Sequence, residues 1–344
     1  MKNKKLISII IPVRNEEKYI DRVLESIVSY KSNNFDIEIL IIDGLSEDNT
    51  VQKIKKACVH HKNIILLNNT KKTVPHALNM GIKKAKGKII IRMDAHSIYP
   101  KNYVEILVSN LEKLNADNVG GMWDIIPADQ SHRSKIIASL MASPFAVGNV
   151  AYRFSKSSSP IEVDSVPFGC YRREIFNKIG LFDEEFIRNQ DDEFNLRLKK
   201  AGGKIFLIPS LKIKYFARKN FKQLFQLYNQ YGYWKPKVIK KHKIPAKLRH
   251  LVPVGFIIYL FSFPALFFSS LFRVAWLSIF GIYALFIIVG SIIGMKKNKL
   301  PFFDCFGFIF GLIAIHLSYG FGFLHGIFNF IIRNKKYKDF KLTR

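Results

Sequence analysis

The sequence predicts an α/β protein: a parallel-type sheet flanked by helices, followed by a C-terminal α-helical membrane region. Three observations carry this. Short apolar runs alternate with amphipathic stretches over roughly the first 110 residues. Several of these runs close on acidic or turn-forming residues, where strands of open α/β sheets meet their ligands. Beyond His250, two runs of 22 residues carry no charge, separated by Arg273.

Taken in order, Leu6 to Ile11 is a first buried strand, closing on Pro12-Val13-Arg14-Asn15-Glu16-Glu17. Ile20, Val23, Leu24, Ile27 and Val28 then share one face of a helix over 16–29. A second strand, Ile37 to Ile42, ends in Asp43-Gly44, and Ser46 to Thr50 supplies caps for a helix to about Val59. Asn63 to Leu67 is a third strand, and a helix over 74–86 stops at Gly87. Lys88 to Met93 is the central strand and delivers Asp94 and His96 at its end. After Pro100, Tyr103, Ile106, Leu107 and Leu111 are in helical phase. The pattern then loosens into a strand over 118–126, a helix over 134–143 and a loop over 155–160. A helix from about Asp191 ends at Gly202-Gly203, and Ile205 to Ile208 is a short strand.

The formal net charge is +28 and the pI about 9.9, which points to nucleic acid, anionic lipid or phosphate-bearing ligands. From Lys199 to Arg249 there are 15 Lys or Arg and no Asp or Glu. The apolar tail that follows favours a membrane surface over nucleic acid as the partner. Cys58, Cys170 and Cys305 form no C-x-x-C, so neither a disulfide framework nor a zinc site is implied. The N-terminal apolar run is too short for a signal peptide and is followed by no small-residue cleavage site.

Leu224, Phe225, Tyr228 and Tyr231 share one face of an aromatic helix over 221–234. Such a helix suits a membrane interface, the alternative being a helix packed on the preceding domain. The expected layout is a domain over 1–217, a basic aromatic interfacial segment over 218–250, a transmembrane region over 251–332 and a basic tail over 333–344. Spans are expected at 251–272, 274–295 and 302–332. The third, with 31 residues, is long for one span and short for two. Lys296, Lys297 and Lys299, with the basic cluster before the first span, put the N-terminal domain in the cytoplasm by the positive-inside rule. A single third span would put Arg333 outside, against that rule, whereas a re-entrant or paired segment would keep it inside. The sequence leaves both open.

Alone, D-A-H at a strand end is commonly a turn. Its neighbours give it meaning. The stretches S-I-I-I-P-V-R-N-E-E, I-I-D-G-L-S-E-D-N-T, G-K-I-I-I-R-M-D-A-H, G-C-Y-R-R-E-I-F and R-N-Q-D-D-E-F-N-L-R-L occur in order over about 6–235. As a set they resemble family 2 glycosyltransferases, inverting enzymes of the A-type nucleotide-sugar fold, and most of all the succinoglycan-type bacterial exopolysaccharide transferases.

That resemblance implies a nucleotide-sugar donor bound by Pro12, Arg14, Glu16, Asp43 and Asp94. It implies a divalent metal, Mn²⁺ or Mg²⁺, on Asp94 and His96, which match the family's D-x-D motif. His96 stands where a second Asp is commoner, and imidazole favours Mn²⁺; the alternative is a hydrogen bond to sugar or diphosphate. Asp191 falls at the catalytic base position, with Gly169, Cys170 and Asp192 as acceptor-side candidates. The acceptor implied is a polyprenyl-diphosphate-linked saccharide, reached by a multi-pass protein of the inner membrane with a cytoplasmic catalytic domain. Two departures stand out. Ala77-Leu78-Asn79 lacks the Arg often found there, leaving His76 or Lys72 as substitutes. Gln230 to Trp234 lacks the Gln-x-x-Arg-Trp of processive synthases. A processive synthase and a non-catalytic membrane scaffold with a degenerate transferase domain are the competing readings.

Overall fold

The computed structural model describes residues 4–28, 30, 34–243 and 250–334. Ser29, the stretch 244–249 of the expected interfacial segment and the basic tail from residue 335 lie outside them. The elements run β1 (Lys5–Val13), α1 (Ile20–Val28), β2 (Phe35–Asp43), α2 (Thr50–His60), β3 (Ile64–Asn68), α3 (Val74–Lys84), β4 (Ile89–Arg92), β5 (Ser97–Ile98) and α4 (Tyr103–Lys113). Next come β6 (Asn118–Ile126), α5 (His132–Met141), α6 (Pro144–Val147), α7 (Ala151–Phe154), β7 (Ile161–Glu162), β8 (Cys170–Arg172), α8 (Glu174–Ile179), α9 (Gln190–Lys200) and β9 (Ile205–Phe216). The chain closes with α10 (Phe221–His242), α11 (Val252–Phe261), α12 (Ser270–Lys297) and α13 (Cys305–Gly326).

Two compact units divide the chain. One comprises 1–124 and 151–215, the other 125–150 and 216–344. The first holds the sheet, in the order β3-β2-β1-β4-β8-β6-β9-β5, with β7 paired to β9. β3, β2, β1 and β4 are parallel, as the alternation of strand and helix requires. Beyond β4 the sheet turns antiparallel: β8 pairs with β4 and β6, and β9 with β5 and β7. The sheet is therefore mixed, because regular strand–helix alternation stops at α4 and later strands return from the opposite direction. Ile7, Ile9, Ile10 and Ile11 are fully buried on both faces of β1, which fixes it as an interior strand. Ile10, Leu40, Ile42, Leu78, Ile90 and Phe194 belong to one core cluster joining sheet and helices.

The second unit contains α5, α6 and α10 to α13. The run 251–272, expected as one span, is divided: α11 has 10 residues and passes into a 3₁₀ turn over Phe263–Phe267. Pro264 lies at the start of that turn, where its missing N–H interrupts α-helical bonding. Ser269 then caps α12, its hydroxyl accepting from the Phe272 N–H. A π-helical turn, Ile327–Ile332, continues α13 without a break. Among the described residues, α12 and the segment 302–332 are long and apolar enough to cross a membrane; α11 is too short.

Candidate active site

β4 ends in Arg92, and its continuation places Asp94 two residues on, so both side chains leave the same face. The first turn of α9 brings Asp191 to the same place. The Arg92 guanidinium donates from one nitrogen to both oxygens of Asp191, and from the other to Asp94 Oδ1 at 3.2 Å. Arg92 is buried and also lies over the Phe168 ring, 5.7 Å from its centroid. Burial pushes the Asp191 carboxyl above its ordinary value, the Arg92 charge opposes this, and Asp94 and Asp192 reinforce it.

Glu16 and His96 meet on the adjoining side, with Oε1 3.6 Å from Nδ1. Glu16 is held by its own N–H, which donates to Thr50 Oγ1 at 2.7 Å. The His96 ring stands edge-on to Tyr215 at 5.5 Å, and Tyr215 stacks flat on Trp123 at 4.3 Å. Trp123 carries the Arg153 guanidinium 5.1 Å from its centroid.

The β1 and β2 ends are laced together. Asn15 N–H donates to Ser46 Oγ at 2.8 Å, and Glu47 N–H donates to Asn15 Oδ1 at 2.9 Å. Asp43, 2% exposed, accepts from Ser46 N–H at 3.0 Å and from Ser46 Oγ–H at 2.5 Å. Pro12 is half-buried in β1 opposite Ile42, while Arg14 is exposed near Glu47.

The acceptor-side candidates divide. Cys170 is fully buried, paired with Ile91 on one side and Val119 on the other, and burial pushes its thiol up. Gly169 accepts from the Arg92 N–H at 3.0 Å, and a Cβ there would sit 2.4 Å from Asn118 Oδ1. Asp192 is half-buried beside Asp191. His76 pairs with Glu184 at 3.1 Å and Thr73 at 2.7 Å. Asn79 clamps the loop before α9, donating to Phe182 O at 2.8 Å and accepting from Phe182 N–H at 3.0 Å.

Sequence reasoning missed Arg92, Trp123 and Tyr215. Arg92 had a signal: an arginine inside I-I-I-R-M-D must find carboxylates if the strand is buried. Trp123 and Tyr215 had none, since their stacking depends on strand order.

A mixed sheet with carboxylates gathered at the carboxyl ends of its parallel strands is the arrangement expected of a transferase of the A-type fold. The chain belongs to glycosyltransferase family 2, whose family model, Glycosyl transferase family 2, matches residues 8–180. It is 32% identical over 323 residues to the dolichyl N-acetyl-alpha-D-glucosaminyl phosphate 3-beta-D-2,3-diacetamido-2,3-dideoxy-beta-D-glucuronosyltransferase of Methanococcus voltae, covering 92% of this chain and 95% of the relative. It is 26% identical to the succinoglycan biosynthesis protein ExoA of Rhizobium meliloti, covering 72% and 74%. The mannosyltransferase PcManGT of Pyrobaculum calidifontis, solved with GDP-Man and Mn²⁺, shares the fold with a TM-score of 0.57 at 17% identity, over 92% of this chain and 88% of that one.

Proposed function

We propose that this glycosyltransferase moves a sugar from a nucleotide-sugar donor to a lipid-linked saccharide phosphate, with inversion, at the cytoplasmic face of a membrane that its C-terminal apolar helices anchor. The observation that carries the reading is the convergence of Asp94 and Asp191 on Arg92, which sets a donor-side and a base-side carboxylate beside one another. The dolichyl-phosphate-linked substrate of the Methanococcus voltae relative and the part of the Rhizobium meliloti relative in succinoglycan biosynthesis support a lipid-linked or exopolysaccharide acceptor.

Asp191 accepts the proton of the acceptor hydroxyl as that oxygen bonds to the anomeric carbon. The bond from that carbon to the diphosphate breaks in the same displacement, and the nucleoside diphosphate leaves with the electron pair. Pro12, Arg14, Glu16 and Asp43 hold the nucleotide, and Gly169 and Asp192 border the acceptor.

Among the described residues no group of three or more His, Cys, Asp or Glu forms a ready metal cage. Asp94 and His96 still fit a divalent ion: His96 Nδ1 is buried, makes no hydrogen bond and faces Glu16. Carboxylate plus imidazole suits Mn²⁺ better than Mg²⁺. A bound ion would neutralise charge growing on the leaving diphosphate. The test is transfer by membranes holding the full chain, with labelled UDP-glucose, UDP-galactose, GDP-mannose and UDP-N-acetylglucosamine. Lipid-extractable product is expected with one donor and its loss in Asp191→Asn; product that appears only in water-soluble material would overturn the acceptor assignment.

A further inference from the structure

We propose that α13 lies in the plane of the membrane surface, seated on α10, and does not cross the bilayer. The proposal rests on the membrane attachment above and concerns how it is made. The segment 302–332 passes the length and polarity test for a span, yet its exposed apolar side chains gather on one face. They fall at Phe303, Phe306 and Phe310 near its start and at Phe321, Phe328 and Ile332 towards its end, with no exposed residue from 311 to 320. The opposite face is covered along its length. Gly307 and Gly311 approach Ile136 and Leu140 of α5, and Gly320 approaches Pro253 of α11.

α10 covers most of the rest, running in the same direction. Phe221 meets Phe310, Asn229 donates to Ser318 O at 3.1 Å, Asn329 donates to Tyr233 Oη at 3.0 Å, and Lys240 donates to Phe330 O at 2.6 Å. The contacts are close: a Cβ on Gly322 would lie 2.1 Å from Asn229 O.

If α13 crossed the hydrocarbon, α10 would be carried through with it. α10 is no span: it bears Lys222, Gln223, Gln226, Asn229, Gln230, Lys235, Lys237 and Lys240. Charges in the hydrocarbon are costly and polar groups there need partners. An apolar stripe backed by a basic helix is what an anionic leaflet accepts at its surface. The occupant of the stripe is therefore lipid. The arrangement also keeps Lys296, Lys297, Lys299 and Arg333 on one side, as the positive-inside rule asks.

The experiment uses the full chain carrying Cys58→Ser and Cys305→Ser, with Phe306→Cys, Leu317→Cys or Phe328→Cys labelled by an environment-sensitive fluorophore. It is reconstituted in phosphatidylglycerol vesicles whose lipids carry a doxyl quencher near the head group or near the chain end. Stronger quenching by the shallow label at all three positions is the expected result. Deep quenching at Leu317 with shallow quenching at the other two means a crossing helix and overturns the proposal alone. No quenching at any position means that protein, such as a second copy, covers the stripe; that overturns this proposal and undercuts the membrane reading. In sealed vesicles, Asn298→Cys and Arg333→Cys should react with an impermeant maleimide from the same side. Reaction from opposite sides overturns the proposal independently.

Discussion

Arg92, buried, and Asp191, half-buried, form a guanidinium–carboxylate pair that ties the end of β4 to the first turn of α9. Burial raises the Asp191 carboxyl from its ordinary 3.8, with Arg92 opposing. A base works ionised, so activity should fall as pH drops through this raised value, and the acid limb of kcat/KM should lie above 3.8. Removing the opposing charge in Arg92→Met should move the limb further up. It should also lower kcat about 100-fold by letting the carboxylate drift from its aim. A pH–rate profile of both proteins decides this; an acid limb unmoved by Arg92→Met would show that the guanidinium does not tune the base.

Asp43 spends both carboxylate oxygens on Ser46. Asp43→Ala leaves the Ser46 N–H and hydroxyl without their acceptor in a part-buried turn and should cost about 1–2 kcal/mol. Ser46→Ala keeps the N–H bond to Asp43 but removes the hydroxyl bond and the acceptor of the exposed Asn15 N–H, which water can replace, and should cost about 1 kcal/mol. Denaturant titration of both variants measures the difference. Equal losses would mean that the hydroxyl bond carries the turn.

Stripping divalent metal with EDTA should abolish transfer, and Mn²⁺ should restore it better than Mg²⁺, because the candidate ligands are one carboxylate and one imidazole. His96→Asp should narrow the preference by supplying a second hard oxygen. Calorimetric titration of Mn²⁺ in the presence of UDP or GDP reads this without turnover. Full activity after exhaustive chelation would remove the metal from the reaction.

β1, β2 and β4 were legible because their apolar runs are largely buried on both faces, as at Ile7 to Ile11, and the Asp43 to Thr50 turn carries its own side-chain hydrogen bonds. The antiparallel half was not. β8 has three residues and β5 two, too short to show periodicity, and β9 continues past Pro209 to Phe216, beyond the short strand expected over 205–208. Within the site, Asp94 and Asp191 came from motif resemblance, whereas the Arg92 link and the Tyr215–Trp123 stack depend on which strands become neighbours. In the last helix, Gly322 and Gly326 pack closely against α10.

That packing separates glycines that must stay small from those that need not. A Cβ on Gly322 would meet Asn229 O at 2.1 Å, which is backbone and cannot turn aside. Gly322→Ala should therefore push α13 from α10 and destabilise the protein by about 1–3 kcal/mol. Gly281, in α12, has nothing within 4 Å of the same position. Gly281→Ala meets no clash and gains helix propensity, so it should stabilise by about 0.5–1 kcal/mol. Thermal unfolding of the detergent-solubilised chain should lower the midpoint for the first variant and raise it for the second. A shift of the same sign in both would mean that helix propensity, and not the α10–α13 contact, governs these positions.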